Sequence, residues 1–218
     1  MKHLFFRGLA LSAVVLLSGL WSDAAQAAVL GTKHDLRSNG GQTIRATDTI
    51  ENICVFCHTP HGGDTSVPGA PLWNRALSDT ADTNGPFVMY TNRNLNPLDA
   101  PQGVSLACLS CHDGFNAINV LNNAPGSGIG STITFQGLDG DGSLPTGITA
   151  VGRDLTNDHP ISMEVPTGTG WLTPPATLSL YNSKVECATC HNPHESVNPT
   201  FLRISNAGSA LCSSCHDK

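Results

Sequence analysis

The sequence predicts a mostly irregular fold in which short helices surround four copies of one cysteine–histidine motif. The 218 residues include 22 glycines and 14 prolines, and only 6% are aromatic, so no long periodic apolar segment is available for a large core. The chain also has eight cysteines, too many for an ordinary cytosolic enzyme. Something other than side-chain packing is therefore expected to hold the chain together.

Residues 1–27 are expected to be an export signal and not part of the fold. Lys2 and Arg7 give a positive start, an apolar stretch follows over 8–21, and Ala25 and Ala27 mark a small-residue cleavage site. The stretch is shorter than the ~20 residues that a membrane-spanning helix needs, although an uncleaved membrane anchor is the alternative. The mature protein is expected to be exported, with no transmembrane segment after signal removal.

The charge of the chain excludes one class of partner. The net charge is −6 with 11 lysines and arginines, which argues against nucleic-acid binding. Only 13% of residues are charged, which argues against ordinary charged disorder.

All eight cysteines lie in C-x-x-C-H motifs, named here by chain order: motif 1 (Cys54–His58), motif 2 (Cys108–His112), motif 3 (Cys187–His191) and motif 4 (Cys212–His216). On one helical turn the two cysteines face the same side and can form thioethers with the two vinyl groups of one porphyrin. The histidine that follows can ligate the iron. Disulfides or zinc sites are alternatives, but neither explains a histidine after every pair. The sequence predicts four haem c groups.

The cysteines expected to bind these haems are Cys54, Cys57, Cys108, Cys111, Cys187, Cys190, Cys212 and Cys215. The histidines expected on the nearer face of each iron are His58, His112, His191 and His216.

The number of remaining histidines matches the number of irons. Apart from His3 in the signal, four histidines lie outside the motifs: His34, His61, His159 and His194. We expect these to be the second axial ligands, giving bis-histidine iron throughout. The alternatives are surface or core histidines, with Met89 or Met163 as an axial ligand.

Two of these histidines follow a motif histidine by three residues, as C-H-x-P-H: His61 after motif 1 and His194 after motif 3. A neighbour so close in the chain cannot easily reach the opposite face of its own porphyrin. Each is therefore expected to ligate a different haem, which brings two porphyrins together. For His34 and His159, the adjacent Asp35 and Asp158 are expected either to fix the imidazole tautomer or to cap a helix or form a turn.

The motifs form two units of the same order, expected at 28–125 and 126–218, which an internal duplication would explain. Each unit runs from an isolated histidine through C-x-x-C-H-x-P-H to a second C-x-x-C-H. The first unit carries an insertion at roughly 62–107. A connector rich in glycine and polar residues spans roughly 113–158, with one short hairpin expected around 129–135.

This combination of motifs resembles the doubled C-x-x-C-H multihaem cytochromes c, and within them the tetrahaem outer-surface cytochromes that form extracellular filaments. The resemblance is carried by His34 and His159 in their short contexts, by CVFCHTPH at 54–61, by CATCHNPHE at 187–195 and by LCSSCHDK at 211–218. It implies a multihaem fold organised by stacked covalent haems. It also implies head-to-tail self-assembly in which His61 ligates a haem of the neighbouring subunit.

The function expected from these features is electron transfer and not catalysis, because six-coordinate iron has no open site for substrate. Redox proteins are the expected partners, and the acidic chain suits a basic one. The cell surface is the expected location, with the periplasm as the alternative. The competing functions are a soluble periplasmic electron shuttle and a small-molecule reductase with one open haem.

Overall fold

The computed structural model of the chain describes residues 29–67, 69–76, 85–91, 100–126, 128–129, 132–147 and 150–217. The expected export signal at 1–27 lies outside these ranges, as do 77–84 and 92–99 of the expected insertion. Over the described ranges, no helix has the length and apolar character needed to cross a membrane.

Helical structure is short and concentrates at the motifs. Helix α1 spans Gly103–His112 and ends with motif 2, and helix α2 spans Cys187–Cys190 in motif 3. Single 3-10 turns follow at Pro199–Phe201, Ala207–Ser209 and Cys212–Ser214. The two α-helices pack against each other through small side chains, with Ala107 and Ala188 buried in one apolar cluster, so that motifs 2 and 3 lie close together.

Three two-stranded antiparallel ladders connect the loops. β1 (Arg45–Ala46) pairs with β4 (Phe135–Gln136), β2 (Asn123–Ala124) with β3 (Gly128–Ile129), and β5 (Met163–Glu164) with β6 (Lys184–Val185). Residues 130–131 of the hairpin expected around 129–135 lie outside the described residues. In the described part of that range, β3 pairs with β2, and β4 pairs with β1, far earlier in the chain. The Phe135 ring packs edge-on against Phe56 of motif 1 at 5.9 Å, and this tertiary contact favours the distant pairing.

The buried apolar residues form three small clusters, each next to a motif. The first includes Phe56, the second Ala107 and Ala188, and the third Leu109. Apolar packing therefore lies beside motifs 1, 2 and 3 and forms no single large core among the described residues.

Part of the connector packs onto the first unit. The Thr47 amide donates to the Thr134 carbonyl at 2.8 Å. Further on, the Arg153 guanidinium donates to Asp113, directly after motif 2, in a buried ion pair of 3.0 Å. The same guanidinium lies over the Phe87 ring, 5.0 Å from its centre. These contacts hold the connector over the end of α1.

A buried arginine from the expected insertion also holds α1. Arg75 is 3% exposed, and its guanidinium donates to the carbonyls of Ser110, Ala117, Ile118 and Val120 at 2.6–3.2 Å. One side chain thus joins the turn of motif 2 to the loop that follows it.

Replacing Arg75 with glutamine is expected to lower the free energy of unfolding by about 2–4 kcal/mol, because several buried carbonyls lose their donor. Chemical denaturation of the haem-loaded protein, followed by circular dichroism, measures this change. Arg45→Gln is the matched control, because among the described residues Arg45 donates to one carbonyl, that of Gln42. This substitution is expected to lower the free energy of unfolding by less than about 1.5 kcal/mol. Equal losses of unfolding free energy in the two variants would contradict the role of Arg75 in holding α1.

Candidate functional site

Each motif forms one helical turn. The histidine amide donates to the carbonyl of the first cysteine in motif 1 (His58 to Cys54, 2.8 Å), motif 3 (His191 to Cys187, 3.0 Å) and motif 4 (His216 to Cys212, 3.0 Å). Motif 2 is the end of α1. This turn places the two thiols and the imidazole of a motif on one side of the backbone, as thioether attachment with axial ligation requires.

The cysteines of consecutive motifs are neighbours in space. Burial and the nearby Cys111 thiol raise the pKa of Cys57 to about 12, which connects motifs 1 and 2. A hydrogen bond with Cys187 raises the pKa of Cys108, which connects motifs 2 and 3. Burial and the nearby Cys215 raise the pKa of Cys190, connecting motifs 3 and 4. The four attachment points therefore follow one another in chain order.

No disulfide joins any of the eight cysteines, so the disulfide alternative is not formed. The part of the chain that the structure describes contains no cluster of three or more His, Cys, Asp or Glu side chains arranged to hold a metal ion.

Three of the four histidines expected as second ligands lie close to a motif histidine. Their ring centres are 6.0 Å apart for His34 and His112, 6.1 Å for His194 and His58, and 6.4 Å for His159 and His216. We call these the in-chain pairs. His194 thus faces the histidine of motif 1 and not that of its own motif.

The in-chain pairs fit iron between them. A metal–imidazole nitrogen bond is about 2 Å long, and the ring centre lies about 1 Å beyond that nitrogen, so two imidazoles on opposite faces of one iron have centres about 6 Å apart. Beside motif 1, a cavity of about 330 Å³ is bounded by Cys54, His58 and mostly apolar neighbours such as Val55 and Leu72. The residues present therefore fit a porphyrin iron.

Backbone carbonyls orient several of these imidazoles. Nδ1 of His58 donates to the Pro71 carbonyl at 2.8 Å. In the same way, Nδ1 of His191 donates to the Thr200 carbonyl at 2.7 Å, and Nδ1 of His159 donates to the Pro160 carbonyl at 3.0 Å. A proton on Nδ1 leaves Nε2 free to bind a metal.

Asp35, next to His34, does not perform this task. Asp35 accepts hydrogen bonds from Arg37, at 2.7 and 2.8 Å, and from the Gly31 amide at 2.9 Å, and these hydrogen bonds, above all the one from Arg37, lower its pKa. The side chain therefore stabilises a turn. Of the two roles left open for Asp35, the structure shows the turn.

Burial keeps His34 neutral. Desolvation, followed by the nearby His112, His194 and His191, lowers the pKa of His34 to about 4. A neutral imidazole is the form that binds metals, so the environment of His34 suits a ligand.

Sequence reasoning missed the segments that hold the motif histidines, which we call the brace segments: 71–74 at motif 1, 200–203 at motif 3 and 169–172 at motif 4. In each brace segment, one backbone carbonyl accepts a hydrogen bond from the amide of the residue that follows the motif histidine. The amide two positions further along the brace segment donates to the carbonyl of the cysteine that precedes the motif histidine. The accepting carbonyls belong to Leu72 (3.0 Å), Phe201 (2.8 Å) and Gly170 (3.0 Å). Motifs 1, 3 and 4 therefore share one hydrogen-bond pattern.

The three accepting residues share an unusual backbone. Leu72, Phe201 and Gly170 have φ of 53°, 60° and 89°, in the left-handed region that favours glycine. An aromatic ring and a leucine stand side by side in every brace segment, as Leu72-Trp73, Phe201-Leu202 and Trp171-Leu172. This adjacent leucine and aromatic residue is the sequence feature that the three brace segments share, but such pairs are too common in proteins to predict a brace segment from sequence.

A buried carboxyl joins motifs 2 and 3. The Ser105 hydroxyl donates to Glu186 Oε2, and the Ser162 hydroxyl donates to the same oxygen at 3.0 Å. The Cys187 amide donates in turn to the Ser105 oxygen at 2.9 Å. Glu186 is 2% exposed, and this burial raises its pKa.

Glu186 is expected to make the protein less stable as pH rises. The folded protein keeps a proton that the unfolded chain loses near the ordinary value of 4.5, so the free energy of unfolding falls from there up to the raised pKa. Glu186→Gln removes this titration and is expected to flatten the curve over that window. Thermal unfolding of both haem-loaded proteins across the window measures this. An identical fall in both would contradict the assignment.

Comparison with known proteins identifies one family match. A family model described as Doubled CXXCH motif matches residues 181–218, which contain motifs 3 and 4. No curated protein matches the chain significantly. The matched part carries a multihaem c-type cytochrome-like motif, which implies covalently bound haem c. Such motifs are typical of haem-binding electron carriers, which are usually not enzymes.

Proposed function

We propose that this chain is an exported tetrahaem c-type cytochrome that transfers electrons along a row of bis-histidine haems. The observation that carries the proposal is the set of in-chain pairs, each about 6 Å between ring centres. Motif cysteines of consecutive motifs are neighbours, which would place the haems in chain order.

The residues would act by attachment, ligation and shielding. The cysteines would fix each porphyrin, and the motif histidine with its partner would occupy both faces of the iron. The haems supply one-electron chemistry, and bis-histidine ligation without methionine favours low potentials. The two methionines considered as ligands are instead buried at 8% exposure, Met89 in an apolar cluster and Met163 in β5.

The mass of the purified mature protein tests the haem count. We expect four haems on each chain and a reversible redox titration with no bound substrate. A mass that corresponds to fewer than four haems would contradict the tetrahaem assignment. So would a double variant, Cys212→Ser with Cys215→Ser, that loses no haem.

The proposal also includes head-to-tail assembly. Among the described residues, the rings of His61 and His191 make no ring contact, and both side chains are exposed. The Nδ1 hydrogen bond of His191 to Thr200 leaves its Nε2 for iron. His61 of one subunit would then supply the second ligand at motif 3 of the next. Such a contact joins different surfaces of the two subunits and therefore propagates into a filament.

The location and assembly are tested together by electron microscopy of the cell-surface fraction beside size-exclusion chromatography. Haem-staining fibres at the surface would support a filament. A monomer confined to the periplasm would contradict assembly and leave the soluble shuttle.

The same observation supports a second candidate function. If no subunit supplied His61, the iron at motif 3 would keep one open face, as a small-molecule reductase requires. Nitrite or hydroxylamine turnover by the protein as isolated, with high-spin ferric iron, would favour this alternative. Turnover that appears only after disassembly would favour the filament.

A further inference from the structure

The aromatic residue of the motif 3 brace segment contacts a histidine of another site. The Phe201 ring stacks on the His34 ring with centres 4.6 Å apart and an interplanar angle of 9°. His34 faces His112 of motif 2 with their rings inclined at 68°. Phe201 therefore lies on the face of the His34 imidazole, while its own carbonyl holds the turn of motif 3.

The Phe201 ring packs face to face with the His34 ring, where it restricts rotation of the imidazole. In the described part of the chain, Nδ1 of His58, His159 and His191 bonds a backbone carbonyl. The hydrogen bonds described for His34 involve its backbone instead: its amide donates to the Thr32 hydroxyl at 3.2 Å, and its carbonyl accepts from the Leu36 amide at 3.0 Å. Without such an anchor, rotation of an imidazole about its bond to a metal is limited by packing alone.

The brace itself does not require an aromatic side chain. The equivalent position is leucine at motif 1 (Leu72) and glycine at motif 4 (Gly170), with the same hydrogen-bond pattern. Glycine adopts the left-handed backbone freely, whereas a residue with a side chain pays about 1–2 kcal/mol there. Phe201, and Thr200 before it, both adopt it, with φ of 60° and 55°. The brace hydrogen bonds therefore do not account for the Phe201 ring, and its contact with His34 is a separate feature.

We propose that Phe201 is a positioning residue that fixes the plane of the His34 imidazole, and thereby the angle between the two axial ligands at motif 2. This inference rests on the proposed function, because it requires His34 and His112 to bind one iron. The angle between axial imidazole planes determines the shape of the electron paramagnetic resonance (EPR) spectrum of low-spin ferric haem and contributes to its potential. One residue would then couple ligand geometry at motif 2 to the backbone at motif 3.

The test uses EPR spectra and redox titrations of the oxidised, full-length mature haem protein. His34→Ala first identifies the component that belongs to motif 2. Phe201→Gly removes the ring and suits the left-handed backbone, as Gly170 does at motif 4. Phe201→Leu matches the residue at motif 1, and Phe201→Tyr keeps the stacked ring. Leu72→Ala is the matched control, changing the same brace position where no histidine is stacked.

We expect Phe201→Gly and Phe201→Leu to shift and broaden the motif 2 component while the haem count stays constant. Phe201→Tyr should restore it, and Leu72→Ala should leave it unchanged. A motif 2 component that disappears in His34→Ala but is unchanged in both Phe201→Gly and Phe201→Leu would overturn this inference alone. A spectrum unaffected by His34→Ala would overturn the ligand assignment in the proposed function, and this inference with it.

Discussion

Replacing His61 with alanine is expected to convert the assembled protein into monomers that keep all four haems. The exposed His61 ring has no ring contact among the described residues, so its removal breaks no in-chain pair. The iron at motif 3 would lose its second ligand and become high-spin. Analytical ultracentrifugation and the optical spectrum measure the two effects.

His159→Ala is the matched control for this prediction. It also removes a histidine from outside the motifs, but one whose ring faces His216 in the same chain at 6.4 Å. This substitution should remove the second axial ligand of the iron at motif 4 and leave the assembly intact. Added imidazole should restore low-spin iron in His61→Ala without restoring the polymer. A His61→Ala protein that still assembles would refute the inter-subunit role of this residue.

The chain without haem is expected to be largely unfolded. Its described apolar core is divided among three clusters, of six, five and four buried residues, and each lies against a motif. Small divided cores rarely stabilise a domain unaided, so porphyrin binding would supply much of the folding free energy, as metal binding does in other small-cored proteins.

Far-ultraviolet circular dichroism of protein made without haem attachment measures this effect. We expect loss of the cooperative thermal transition that the haem-loaded protein shows. A variant lacking only Cys212 and Cys215 should retain a transition at reduced temperature, because motif 4 lies apart from the three clusters. A compact, cooperatively melting protein without haem would contradict the prediction.

The motifs were predictable from the sequence because local spacing alone determines which atoms share a helical turn. The partners of the motif histidines were not, since each in-chain pair joins residues far apart in the chain, such as His58 and His194. The sequence restricts His194 to a different haem without saying which. That choice depends on how α1 and α2 pack and on the connector.

The brace segments show where local reasoning fails. Leucine and phenylalanine do not favour a left-handed backbone, so nothing marks Leu72 or Phe201 as turn residues. The tertiary hydrogen bonds to Thr59 and Asn192 hold them there. Arg75 was equally hidden, because a single arginine in an expected insertion gives no sign that four carbonyls surround it.

The most direct test of the histidine pairing is EPR spin quantification on the His61→Ala monomer in its oxidised state. Three in-chain pairs and one open site predict three low-spin haems and one high-spin haem on each chain, with the high-spin signal converted by added imidazole. Four low-spin haems would mean that motif 3 finds its second ligand within the chain. Two or more high-spin haems would mean that at least one in-chain pair does not bind iron.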